Sequence, residues 1–554
     1  MNVTEAAVLP TVKHAAAQRH EQIETMSVDI QDDTGKAEGE IIDHGAETTL
    51  HRSLGTRHLT MVSLGSAIGM GMWLGSGTSL VDGGPASLFI GYLISSSMVW
   101  SVSQSIGEMA VMYPLPSAFV QWSTIFVSPA AGFALGWGYW FSYWITIANE
   151  LQGIITILNY WTDEVPKVAW ISIFWVVIIL INIWVVKLFA EVEVIASTVK
   201  FGWMLVIIPA LIVITAGGSP QEGPIGFRYW NEQAFRNGFK GFLSILPTCI
   251  FAMAGTENAT MVASEVANPR ISVPKAVRSI WLRLGLFYIL GSLMITLSVD
   301  PTDPNLFGSS GSNASPFVIA FKNAGIPVMA HITNAVIFIS MISTGSISGY
   351  GGSRMLMGLA HVGMNHRIAQ IFGKADRIGR PWAGYIATIG IGGALAYINV
   401  SNTGAQVFQW LSNLVSLLTL FGWGLISLSH LRFRYSWKVQ GRDETHLPWR
   451  TMAYPYATWW ALIWCIVLIG LELYLSIWPL GKSTSAKNFF ASYISVIAVI
   501  IIWIGAQIWY RGPLWVDARE IDLDRWRRYY ADRVDEESIP VRKSLVRRMK
   551  ALIE

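Results

Sequence analysis

Between Arg57 and Arg511 the chain is a succession of long stretches that contain no Asp, Glu, Lys or Arg. Twelve such runs reach 16 residues or more, and the longest are 109–149 and 381–431. A bilayer core about 30 Å thick is crossed by about 20 mostly apolar helical residues. Charge-free runs of this length are therefore the natural unit in which to read the sequence. Residues 51–510 hold only 42 charges in 460 positions, and 14% of the whole chain is charged, against about 25% in soluble domains. The ends differ from the middle. Residues 1–50 carry 10 acids and 3 bases, which reads as an acidic, disordered cytoplasmic tail. Residues 511–554 carry 9 acids and 11 bases, a second, mixed-charge cytoplasmic tail. The 554 residues are thus a membrane domain (51–510) between two polar segments, not a string of soluble domains.

The runs count the spans. Run 304–321 opens with PNLFGSSGSNASP, which is loop chemistry. Run 381–431 is long enough for two helices joined through YINVSNTGAQ, and the start of 109–149 (MYPLPSAFVQW) is a connection into a third span. Twelve helices are predicted, and the first is expected to act as its own insertion signal. Basic residues in alternate loops set the orientation. His51, Arg52 and Arg57, then Arg270, Lys275 and Arg278, then Arg367, Lys374, Arg377 and Arg380, then Arg432, Arg434, Lys438 and Arg442 mark the cytoplasmic side. The loop 217–240, with Arg228, Arg236 and Lys240, is the exception among the external ones. Sequons at Asn313 and Asn399 fall in predicted external loops. Cys249 and Cys465 each lie inside a span and read as packing residues, not a disulfide. No phosphate loop, zinc spacing or nucleophile elbow occurs, and the basic excess serves topology, not nucleic acid.

Two spans are irregular. The first, LTMVSLGSAIGMGMWLGSGTSLV, has glycines at 65, 69, 71, 75 and 77. They permit either close packing through small residues or an unwound segment, Ser66–Gly71, whose free backbone groups line a cavity. The sixth, LPTCIFAMAGTENATMVASE, combines Pro247, Gly255 and an acid, Glu257. Interrupted helices at corresponding places in two inverted halves point to a transporter site, and spans one and six correspond if the repeat is five helices long. Ionisable residues inside spans are functional candidates because an unpaired buried charge is costly. Glu150 in the third span, Lys200 in the fifth and Glu257 are those candidates, with internal pairing or snorkelling as the alternative. A buried lysine sheds its proton readily, so Lys200 near the first interruption would couple transport to H⁺. Glu108, Glu265 and Glu472 lie nearer span ends, where interfacial solvation is expected to suffice. The aromatic series Trp137, Tyr139, Trp140, Tyr143 and Trp144 reads as packing and interfacial belt, with part of it available to wall a site.

These segments resemble the amino acid–polyamine–organocation transporters and, within them, the fungal amino acid permeases. LHRSLGTRHLTMVSLGSAIGMG resembles the opening of that family's first helix, GEMAVMYPLPSAFVQW and GWGYWFSYWITIANEL its second and third, and EVEVIASTVKF its fifth. FAMAGTENATMVASEVANPRISVPKAV is similar to its sixth, and GGSRMLMGLA, GRPWAGY, FQWLSNLVSLLTLFGWG and HLRFRYSWKVQG follow in order. The resemblance, over about residues 51–480, implies an all-α leucine-transporter-like fold: five plus five inverted helices and two more, with helices 1 and 6 discontinuous. It implies a substrate carboxylate held by the backbone at Ala67, Ile68, Gly69, Met70 and Gly71. It implies an amino group met by carbonyls near Ser66 and near Phe251, Ala252 and Ala254, with Gly255 in the same turn. Lys200 stands where sodium-driven relatives bind Na⁺, and Glu150 matches an acid near the substrate. The chain departs from the family pattern at Met70, Met72-Trp73, Met253 and Ser343–Ser346, all on elements expected to line the pocket.

The expectation is therefore a symporter that imports an amino acid or close derivative across the plasma membrane by alternating access. It would use no cofactor, only the H⁺ gradient, with Lys200 and more weakly Glu257 in the coupling. A non-transporting amino acid sensor of the same fold is the alternative, and an enzyme is not expected, since no paired carboxylates, His cluster or activated nucleophile lies at one depth. Expected partners are the amino-acid-like substrate and the bilayer, with a ubiquitin ligase acting on the N-terminal tail at Lys13 or Lys36. The C-terminal stretch VDAREIDLDRWRRYY reads as a solvated helix, or as a lipid contact through Arg525, Arg527 and Arg528.

Overall fold

The computed structural model describes residues 54–524 and 527, apart from 66–67, 185, 222, 267, 307–313, 363–365, 378, 401–403, 452 and 482. Ser66, Ala67, Lys13, Lys36, Arg525 and Arg528, singled out in the sequence, lie outside the described residues. Every regular element among those described is helical, and strand-like pairing is limited to two isolated bridges, Leu54 with Val266 and Leu306 with Ala314. Helices suit lipid because each satisfies its own backbone.

In chain order, α1 (Thr56–Gly65) is followed, beyond the non-helical Ile68 and Gly69, by a wide π-type turn, Gly71–Gly75, that runs into α2 (Ser76–Gly83). Gly84, at φ +83°, reverses the chain so that Pro85 opens α3 (Pro85–Met112). A short α4 (Ala118–Phe126) leads to α5 (Pro129–Leu158), whose first turn is capped by the Ser128 hydroxyl accepting from the Ala131 amide at 3.2 Å. Next come α6 (Lys167–Ile183), α7 (Val186–Val213), α8 (Arg228–Gln233) and α9 (Gly238–Met253). The six-residue α10 (Asn258–Ala263) follows α9 after a turn. α11 (Pro269–Arg283) and α12 (Gly291–Ser298) are joined by a π segment, Leu284–Leu290. The rest are α13 (Pro316–Asn323), α14 (Pro327–Val362), α15 (His366–Phe372), α16 (Trp382–Ala396), α17 (Gly404–Val439), α18 (Tyr456–Ile477) and α19 (Ala486–Tyr510).

Among the described residues, eight helical stretches are long and apolar enough to cross a membrane: α3, α7, α9–α10, α11–α12, α14, α17, α18 and α19. α6 and α16 are shorter apolar helices. α5 has the length, 30 residues or about 45 Å, while its Trp, Tyr, Ser and Asn residues dilute its hydropathy. α5 is nevertheless the hub. It packs most extensively on α14 and also on α16, α17, α19 and α4. Outward faces of α6, α7, α18 and α19 expose Ile173, Leu180, Ile195, Leu205, Ile463, Ile466, Ile501 and Ile508, an apolar rim that suits lipid. Cys249 and Cys465 are free and buried.

The segment after α19 differs from its sequence reading. Arg511, at φ +48°, ends the helix, and residues 512–524 are non-helical. They form a strap across one end of the bundle. The Val516 amide donates to Val127 O at 2.9 Å, Tyr113 Oη donates to Leu523 O at 2.9 Å, and Gln440 Nε2 donates to Ala518 O and Ile521 O at 3.1 and 2.8 Å. Arg442 forks onto Asp524, Arg432 donates to Val516 O and lies over Trp515, and Arg442 and Arg527 both lie 5.2 Å from the Trp437 ring. Ala518, Ile521 and Leu523 are buried. Arg527, the described one of the three arginines, lies against Trp437 and Asp524, and the strap's buried backbone finds its partners at the α17 end.

Candidate functional site

The two irregular spans meet at the centre of the bundle. Gly71 and Ala252 approach so closely that a methyl on Gly71 would stand 2.6 Å from the Ala252 Cα. Backbone groups left free between α1 and the π turn find side-chain partners from three helices. The Gly65 carbonyl accepts from Lys200 Nζ of α7 at 3.1 Å. The Ile68 carbonyl accepts from the hydroxyls of Ser340 and Thr344 of α14 at 2.6 and 3.0 Å. The Met70 amide donates to both carboxylate oxygens of Glu150 of α5, each at 3.1 Å. Gly69 leaves the room for that carboxylate, since a Cβ there would lie 2.4 Å from Glu150 Oε1.

On the other segment α9 ends at Met253, Ala254 swings to ψ 144° and Gly255 takes φ +99°, a conformation that glycine adopts without penalty. Glu257 accepts from the Gly255 amide at 3.0 Å and from Trp423 Nε1 of α17 at 2.9 Å. The Ala252 carbonyl accepts from Tyr288 Oη at 2.7 Å. Arg283, fully buried, bridges the two segments by donating to Ser63 O at 2.7 Å and to Thr256 Oγ1 at 2.5 Å. Tyr143 Oη donates to Asn258 Oδ1 at 2.6 Å and so ties α5 to α10.

A cavity of about 40 Å³ lies between these elements, with Gly69, Gly71, Glu150, Phe251, Ala254, Gly255 and Glu257 of the sequence-predicted residues on its wall. Tyr139, Ser142, Tyr143, Thr146, Asn258, Thr344, Ser348 and Val415 complete the lining. Ile68, Met70, Ala252, Met253, Ser343 and Lys200 stand behind that wall. Met70 contributes its amide while its sulfur points toward Gly153. Met70, Met253 and Ser343 therefore do not shape the lining, whereas Thr344 of the Ser343–Ser346 departure does, and Ser348 one turn on with it.

Lys200 is fully buried. Its ammonium donates to Ser343 Oγ at 2.9 Å as well as to Gly65 O, and Ser343 Oγ donates in turn to Glu193 Oε2 at 2.7 Å. Glu193 is a buried acid that the sequence reading passed over. It stands seven residues before Lys200, two turns along one helix face, and that spacing was the available signal. Asn258 and Trp423 had no signal of that kind, whereas Thr344 belongs to the Ser343–Ser346 departure.

The acids assigned to interfacial solvation are buried and paired instead. Glu265 meets Arg354 Nε at 2.5 Å and accepts from Tyr350 Oη at 2.8 Å. Glu108 meets Arg434 Nε at 2.5 Å and His430 Nε2 at 3.2 Å, and accepts from the Thr451 amide at 2.9 Å. Glu472 accepts from Ser416 Oγ at 2.6 Å. Their exposures, 1%, 1% and 4%, rule out solvation as the compensating term.

A sequence model of the amino acid permease family matches residues 58–516. The general amino-acid permease GAP2 of Candida albicans is 37% identical over 488 residues, covering 87% of this chain and 82% of that protein. Cationic amino acid transporter 1 of Schizosaccharomyces pombe is 37% identical over 508 residues, 90% of this chain and 85% of its own length. The S-adenosylmethionine permease GAP4 of Candida albicans is 37% identical over 486 residues, 87% and 79% respectively. A helical bundle with apolar outer faces and a central polar cavity, matched over most of its length by permeases, belongs to the amino acid permease family.

Proposed function

We propose that this permease is a proton-coupled symporter that imports an amino acid or close derivative across the plasma membrane by alternating access. The proposal takes the bundle as twelve spans in a five-plus-five inverted repeat with two added helices, the first and sixth discontinuous and both termini cytoplasmic. The observation that carries it is the bond from the buried Lys200 ammonium to the Gly65 carbonyl, where α1 stops. Loss of the lysine proton would leave Gly65 O and Ser343 with a neutral, weaker donor and change the balance with Glu193. The end of α1 would then be free to move, and its movement reopens the cavity. Proton binding and the position of the first span are in this way one equilibrium. The relatives' names cover general, cationic and S-adenosylmethionine transport, so the substrate class proposed here is that of amino acids and their derivatives.

Uptake of labelled neutral, acidic, basic and methylated amino acids in permease-deficient fungal cells, at several external pH values, tests the reading. Stimulation of uptake by acid outside is expected for the wild type. Lys200→Met should transport without that stimulation, or not at all, at normal surface abundance. Unchanged pH dependence in the variant removes the coupling role. Binding without uptake in the wild type would mark the protein as a receptor.

A further inference from the structure

Glu150 commits both carboxylate oxygens to one backbone group, the Met70 amide, at 3.1 Å each. That amide is freed by the interruption after α1, and amides of this kind are what a ligand carboxylate takes from a broken helix. The carboxylate lies on the cavity wall against Gly69, and Glu150 is 1% exposed. The adjacent acceptor, Ile68 O, is already filled by two hydroxyls. A cavity of about 40 Å³ has room for a few waters at about 10–15 Å³ each and is too small for an amino acid.

We infer that Glu150 is a built-in surrogate for the substrate's α-carboxylate: it occupies the Met70 amide while the site is collapsed and must be displaced by that group for substrate to bind. The inference rests on the reading of this cavity as the substrate site. Two carboxylates cannot share one amide in so small a space, because like charges repel and neither keeps its hydrogen bonds. A ligand that brings its own carboxylate leaves the Met70 amide satisfied after the exchange and frees the volume that Glu150 filled. A decarboxylated ligand offers no such replacement and an amidated one only a neutral, weaker acceptor, so Glu150 stays and the space stays closed. In the position it holds here, the Glu150 carboxylate is within electrostatic reach of the Lys200 ammonium. The internal competitor thus sets the strength that a ligand's own acceptor must exceed before the site opens.

The test is equilibrium binding of L-lysine, L-methionine and L-leucine, each beside its α-amide, to the full-length purified protein and to Glu150→Gln. A neutral acceptor is about half as strong as a carboxylate on the same donor, so the variant should bind the acids about tenfold more tightly. A weaker competitor is easier for any ligand to displace, so the amides should gain as well, which relief of charge repulsion alone would not give. Glu150→Asp, whose shorter arm withdraws from Met70, should tighten both classes in the same way. Unchanged or weaker binding of the acids, or a gain confined to the acids, overturns the inference and makes Glu150 an ordinary ligand contact. If neither variant folds, hydrogen exchange at the Met70 amide of the ligand-free wild type decides: protection is expected, and exchange at the rate of an open amide overturns it. If the wild type takes up none of the amino acids in the transport panel, the transporter reading itself fails, a result separate from the change in affinity.

Discussion

Gly71→Ala is the substitution whose effect follows most directly from backbone geometry. The added methyl would stand 2.6 Å from the Ala252 Cα, 2.9 Å from its amide nitrogen and 2.9 Å from the Phe251 ring. Carbon atoms in good contact are about 3.5–4.0 Å apart, so the two interrupted segments must separate by about 1 Å. Two of the three obstructing atoms are main chain and cannot rotate away. Gly71 itself has ordinary helical geometry, so no backbone strain confuses the result. Overpacking of this kind costs about 1–3 kcal/mol, or about 5- to 150-fold in an equilibrium that needs the two segments together. The Tyr288 bond to Ala252 O should loosen with it. The assay is initial-rate uptake at several substrate concentrations, normalised to surface abundance, with Gly202→Ala as control because nothing lies within 4 Å of a methyl there. A Gly71→Ala protein whose apparent affinity and maximal rate stay within about twofold of the control would refute the close approach of the two segments.

Arg354→Gln should be the most damaging change away from the cavity, because it leaves the Glu265 carboxylate buried without its cation. The expected loss is about 3–5 kcal/mol, read as thermal unfolding in detergent, and an unaltered melting temperature would contradict the pairing. Tyr143→Phe removes the 2.6 Å bond to Asn258 and should lower apparent substrate affinity about fivefold, for about 1 kcal/mol, at unchanged abundance; identical kinetics would show that the hydroxyl does not hold α10 in place.

Glu150 and Lys200 were legible in the sequence because Glu150 ends the charge-free run 109–149 and Lys200 opens the charge-free run 201–221, inside spans where a charge has no cheap place to go. The glycines at 69 and 71 were legible as an irregularity, though what they make room for, a carboxylate in one case and another backbone in the other, was not. Glu108 and Glu265 were misjudged for a physical reason. Distance along the chain from the end of an apolar run measures depth, whereas burial depends on neighbours, and their partners Arg434 and Arg354 are 326 and 89 residues away. Glu193 was hidden by company: in EVEV it reads as part of a helix start, yet it shares a buried face with Lys200 at i+7. Thr344 and Ser348 line the cavity although Ser343 does not, because a helix turns 100° per residue and a span identified correctly still leaves its facing undetermined.

The strap has a bearing on how motion in the bundle can be watched. It joins the end of α17 to the loop after α4, through Arg432 to Val516 O and Phe126 O and through the Val516 amide to Val127 O. Any rocking of α17 against α4 must either carry the strap along or pull Arg432 off the Trp515 ring, whose cation lies 4.6 Å from its centre. A half-exposed indole under a guanidinium is an optical element already in place, and in a chain of 26 Trp the difference in emission between wild type and Trp515→Phe isolates it as a test of that contact. Residues 512–524, which by composition read as a solvated appendage, are in this sense a gauge clipped between α17 and α4.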